Sequence, residues 1–137
     1  MYYSFAIETD AETAKADATE TKLKLNAGVI HQVRIRNHEG NRGTVHISLW
    51  HQGRQIWPGN NDDDFHGDGL NIEWTEFYEL IPALETITAR TWNDSTLFSH
   101  EVVVDFAVLP RWVVAPLLET AETTGGFGTL VGETEEE

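Results

Sequence analysis

From Tyr2 to Val108 the chain alternates apolar and polar residues in short runs separated by turn residues, and this period of two is what most narrows its possible folds. Successive strand side chains point to opposite faces, so such a run is stable only with one face buried. Tyr3, Phe5 and Ile7 open the series, and Thr21-Lys22-Leu23-Lys24-Leu25 repeats it. Val29, His31, Val33 and Ile35 share one expected face, as do Val45, Ile47 and Leu49. Gln55-Ile56-Trp57 reads as a short return strand after the turn His51-Gln52-Gly53-Arg54. Leu70, Ile72 and Trp74 alternate next, then Ile87, Ala89 and Thr91, and finally Val102, Val104, Phe106 and Val108. Between these runs lie Asn26-Ala27-Gly28, Asn37 to Gly43, Asn60 to Gly69 and Asn93-Asp94-Ser95. Thr9 to Ala18 is small and charged, a loop or one weak helical turn. Eight or nine short strands with no helical stripe between them predict an all-β, two-layer β-sandwich, and eight strands favour a jelly-roll-like arrangement.

The pattern ends at Pro110. Residues 1–110 are the expected sandwich domain, and 111–137 an extended, acidic, Gly-rich C-terminal arm. That arm holds the apolar residues Trp112, Val113, Val114, Leu117, Leu118, Phe127, Leu130 and Val131 amid Gly and Glu. Two readings stand: the arm folds back on its own sandwich, or these residues dock on a partner. Terminal segments hold a conformation only when tied down, which favours docking.

Charge limits the partners. The chain has 23 Asp and Glu against 9 Lys and Arg, a formal net charge of −14. Nucleic-acid phosphates and anionic membranes would be repelled, so neither is an expected partner. Only Lys15, Lys22 and Lys24 are lysines, and carboxylates and Thr abound, as suits a protein working in high salt where screening removes repulsion. An ordinary acidic surface is the plainer alternative. There is no Cys for a disulfide, thiolate site or nucleophile. The start Met1 to Ile7 lacks the features of a signal peptide, so synthesis in the cytoplasm without cleavage is expected.

The best candidate for chemistry is the acidic loop. Asp62, Asp64, His66, Gly67 and Glu73 fall at positions 1, 3, 5, 6 and 12 of a Ca²⁺-loop register, with Asp68 a further carboxylate. His66 at the fifth position and strands in place of flanking helices weaken that register, and a solvated turn is the alternative. Trp57, beside Pro58-Gly59-Asn60, is a candidate for stacking on a carbohydrate, although such a Trp is more often a core or interface residue. At least three of His31, His46, His51, His66 and His100 would have to converge inside a barrel to make a cupin-like metal enzyme. No catalytic motif appears, so no enzyme activity is expected.

Gly28-Val29-Ile30-His31, the run His51 to Pro58 (H-Q-G-R-Q-I-W-P), Gly67-Asp68-Gly69, Tyr78-Glu79-Leu80, Trp92-Asn93 and the run His100 to Pro110 form a further pattern. Across residues 1–110 it resembles a group of small, jelly-roll-like proteins of tailed viruses. The resemblance implies a capsid decoration or turret protein, here of a virus of a salt-loving, haloarchaeal host. It implies residence in the virion and a major capsid or other shell protein as partner, with no catalytic residue to carry over. Homo-oligomers are expected separately, because most soluble oligomers associate about a symmetry axis. A carbohydrate- or Ca²⁺-binding attachment module is the alternative from another class.

Overall fold

The structure, a computed structural model, describes residues 1–114 and 116. Among them, eight strands run in chain order: β1 (Tyr2–Thr9), β2 (Thr19–Lys24), β3 (Gly28–Asn37), β4 (Val45–His51), β5 (Arg54–Trp57), β6 (Asn71–Leu80), β7 (Thr86–Asn93) and β8 (His100–Leu109). A single 3₁₀ turn, Lys15–Asp17, interrupts the link between β1 and β2.

The pairing is nested. β1 pairs with β8, β2 with β7, β3 with β6 and β4 with β5, all antiparallel. The chain therefore doubles back on itself as one long ribbon. The ribbon then wraps, because β8 also pairs with β3 and β7 with β4. Two four-stranded sheets result, ordered β1-β8-β3-β6 and β2-β7-β4-β5. This is a jelly-roll-like β-sandwich.

Alternation fills the space between the sheets. Leu23, Val45, Ile47, Leu49, Ile87, Ala89, Val102, Val104, Phe106 and Val108 point inward and are fully buried. Each large side chain removed from water there contributes about 1.5–3 kcal/mol. Along β3 the expected face is shifted. Ile30, Val33 and Ile35 make the core, because a bulge falls between Ile30 and Gln32 on both neighbouring strands. His31 is the extra residue of that bulge, half-buried, with Nδ1 left without a partner. A strict period of two across residues 29–35 misplaces Val29 and His31 for this reason.

Buried polar groups pin the loops. Thr9 Oγ1 donates to Thr91 Oγ1 at 2.7 Å, and Asn93 Nδ2 donates to the carbonyls of Thr9 (3.2 Å) and Phe98 (2.9 Å). On the outer face of the first sheet Asp105, 1% exposed, accepts hydrogen bonds from Ser4, Arg34 and Arg36. Burial alone would raise its carboxyl pKa. The hydrogen bonds from Ser4, Arg36 and Arg34 outweigh that and hold it below the ordinary carboxylate range.

The segment after Pro110 is not extended at its start. Residues 111–114 and 116 are helical, and Arg111 pairs with Glu79 at 3.1 Å. Val114 is buried within the chain, which removes it from the set of docking residues. Trp112 and Val113 remain exposed. Leu117, Leu118, Phe127, Leu130 and Val131 lie outside the described residues.

Candidate functional site

The acidic loop does not close as a Ca²⁺ loop. Asp62 is exposed in left-handed backbone (φ 64°), and its carbonyl accepts from Lys15 Nζ at 3.0 Å. Asp68 turns toward the link between β3 and β4, where Oδ1 accepts the Gly40 N–H at 2.6 Å. Glu73 stands on the outer face of β6 and accepts from Gln32 Nε2. Glycines on either side of Asp68, with φ of 153° (Gly67) and 65° (Gly69), swing the chain away from Asp64 and His66. Asp62, Asp68 and Glu73 thus leave the set, and Asp64 and His66 stay together.

A two-residue bridge holds them. Phe65 N–H donates to the Ile47 carbonyl at 2.8 Å, and Ile47 N–H donates back at 3.0 Å. The bridge makes Asp64-Phe65-His66 a fragment of strand alongside β4. Phe65 turns inward and stacks on Trp74, centroids 5.4 Å apart. Alternation then puts Asp64 and His66 on the outer side, beside His46, the outward neighbour of Ile47. His46 Nδ1 lies 2.7 Å and His66 Nδ1 2.8 Å from the same oxygen, Asp64 Oδ1. The His46 ring stacks flat on Trp92 at 5.3 Å, and its Nε2 lies 3.0 Å from Asp94 Oδ2. Sequence reading placed Asp64 and His66 in the acidic loop and His46 with His66 only in a set of five histidines; it did not join His46 to Asp64, and it missed Asp94. The triplet D-F-H, polar-apolar-polar, was the available sign, since it alternates like a strand inside what reads as a loop.

Trp57 offers no ledge. It is 7% exposed, with its ring edge-on to Trp74 (5.8 Å) and Tyr78 (5.5 Å), and it belongs to the core. Its Nε1 donates to Glu76 Oε1 at 3.1 Å, an oxygen that also accepts from Trp74 Nε1 at 3.0 Å. Two indoles sharing one carboxylate close the seam between β5 and β6. The stacking role assigned to Trp57 is therefore withdrawn: the apolar ring is worth more inside, and its one donor finds a partner there. Trp50, on the outer face of β4, is only half-buried, but the Arg90 guanidinium lies 5.2 Å from its ring centre.

The remaining histidines serve local roles. His51 Nε2 donates to the Leu84 carbonyl at 2.7 Å, which leaves Nδ1 to accept from the Tyr78 hydroxyl at 2.6 Å. Burial raises the pKa of that hydroxyl. His100 lies beside the Phe98 ring and His31 sits in the β3 bulge. Among the described residues no three histidines converge as a cupin-like centre requires; two of them, His46 and His66, meet at Asp64, and this is the one group able to supply a metal with His and carboxylate donors together. Comparison with known protein families, curated proteins and solved structures gives no match for this chain.

Proposed function

We propose that this protein is a non-enzymatic structural component, a head-associated decoration or turret protein of a tailed virus that docks on a shell protein through its C-terminal segment. The observation that carries the reading is a concentration of exposed apolar side chains at the end of the sandwich where that segment leaves. β6 and β8 finish there on either side of the start of β3, Leu80 opposite Gly28 and Leu109 opposite Val29. Just beyond them Ile81, Leu84, Val113 and Trp112, the last 78% exposed, face solvent. Exposed apolar groups gathered at one place are the usual mark of a protein contact, and an aromatic anchor such as Trp112 contributes most of its affinity. The further apolar residues of the segment, Leu117 to Val131, continue the same chemistry along the chain. A sandwich with its interior filled by side chains suits a rigid body held by one end. Leu97 and Phe98, exposed at the opposite end, offer a second contact for a neighbouring copy in a homo-oligomer.

The test is cross-linking of particles purified from the native source, with the linked peptides identified by mass spectrometry. Links from residues 111–137 to one abundant shell protein are expected, and particles that lack the chain would refute the reading. Trp112→Ala should weaken attachment by a hot-spot amount, roughly 2 kcal/mol or thirtyfold, with an unchanged melting temperature. Truncation should start at residue 117, because a cut at 110 would also remove the buried Val114.

A further inference from the structure

We infer that His46, Asp64 and His66 form a binding site for a divalent transition metal of the Zn²⁺ type, with Asp94 as the residue that orients His46. The site lies on the outer side of β4 and is independent of how the protein docks.

The donor set decides the class of ion. Two imidazole nitrogens and one carboxylate oxygen suit Zn²⁺, Co²⁺ or Ni²⁺, whereas Ca²⁺ takes six to eight oxygens. One donor atom from each of the three residues lies within 4.8 Å of the other two. In tetrahedral Zn²⁺ coordination, with bonds of roughly 2.0–2.1 Å, neighbouring donors stand roughly 3.3 Å apart. Here the two nitrogens are 2.7 and 2.8 Å from Asp64 Oδ1, so seating an ion asks each pair to open by about half an ångström. His66, with its side chain half exposed, has room to make that adjustment. Solvent supplies the fourth position. The ion replaces the protons that otherwise bridge these nitrogens and the carboxylate.

The support around the donors is what a metal site needs and a solvated turn does not. His46 is fixed twice, by Trp92 flat against its ring and by Asp94 Oδ2 3.0 Å from Nε2, the nitrogen that faces away from Asp64. A carboxylate on the distal nitrogen fixes the orientation and tautomer of the ring. Asp64 is held by its neighbour Phe65, which is tied to Ile47 on one side and stacked on Trp74 on the other. The three donors thus come from a rigid strand and a bridged fragment, and the ion would staple the link between β5 and β6 to the second sheet.

The experiment titrates the intact chain with Zn²⁺ by calorimetry and with Co²⁺ by visible absorption, beside thermal melts with and without Zn²⁺. The expected result is about one equivalent bound, a d–d band characteristic of low-coordinate Co²⁺, and a raised melting temperature, with no effect of Ca²⁺. His66→Gln, at an exposed position, should melt like the parent without metal and lose the Co²⁺ band. Asp94→Asn should keep the site but weaken Zn²⁺ binding about 10- to 100-fold. Absence of Zn²⁺ heat, unchanged binding in His66→Gln, or Ca²⁺ binding as tight as Zn²⁺ would each overturn the assignment.

Discussion

At the scale of single residues, Asp105 is a buried carboxylate paired with two arginines. Its carboxylate is buried on β8 under Arg34 (Nε 3.2 Å) and Arg36 (Nη2 2.9 Å), while both guanidiniums stay partly in water. Asp105→Asn keeps the shape but removes the charge that the arginines and Ser4 organise around. A loss of about 1.5–3 kcal/mol is expected, the worth of hydrogen bonds to a charged group. Because the folded carboxyl has a depressed pKa, its contribution is complete above the unfolded value near 3.9 and is lost as pH falls through the folded value. The stability gap between parent and variant, read by denaturant unfolding, should be constant at neutral pH and narrow below about pH 4. Gly28 makes a steric demand instead. A Cβ there would sit 2.6 Å from the Leu109 carbonyl oxygen and 3.0 Å from Val108 Cγ1, where the start of β3 meets the end of β8. Gly28→Ala should lower stability by about 1–3 kcal/mol, the range for forcing atoms into a packed site. A melting temperature equal to the parent's would show that the two strand ends can part without cost.

At the scale of elements, the sheet edges carry unpaired backbone groups that the core does not. β6 is ten residues long and forms one edge of the first sheet. A long free edge is a template for pairing with another chain, and charge is the common protection. Glu73, Glu76 and Glu79 are spaced along it, and Glu76 also binds the indoles of Trp57 and Trp74. Replacing Glu73 and Glu79 by Val, leaving Glu76 in place, should promote edge-to-edge association in dilute buffer. Light scattering would detect it, and a double variant that stays as dispersed as the parent would show that another feature protects this edge. The same element explains why Trp57 is not a binding residue. β5 has only four residues, and its last side chain is anchored by the neighbouring sheet's edge rather than left on the surface.

At the scale of the whole molecule, nested pairing makes the fold dependent on contacts between distant parts of the chain. Tyr2 pairs with Ala107 and Thr19 with Thr91, so the outermost rungs join residues far apart in the chain and close long loops. Topologies of this kind fold on a scale of roughly milliseconds to seconds. The acidic surface acts globally as well. With a formal charge of −14, mutual repulsion opposes the compact state in dilute buffer, and salt screens it. We propose adaptation to high salt, for which the expected outcome is a melting temperature that rises steadily from dilute buffer to molar NaCl. Equal stability at both extremes would return the composition to an ordinary acidic surface.

The sequence by itself determined the all-β class, nearly every strand and the inward residues of most of them, because alternation is a local property that survives without knowledge of neighbours. Val102, Val104, Phe106 and Val108 are legible in this way, as are Val45, Ile47 and Leu49. What only the tertiary structure decided is whatever depends on pairing between distant segments. The β3 bulge moves His31 off the core face because two partner strands impose a register that residues 28–37 alone do not encode. The pairing order that makes the ribbon a wrapped sandwich is equally invisible to local pattern. The same holds for His46 and Asp64, eighteen residues apart: they meet because Phe65, reaching for Trp74 in the core, pulls a polar loop into line with β4 and turns its two outward side chains onto one histidine.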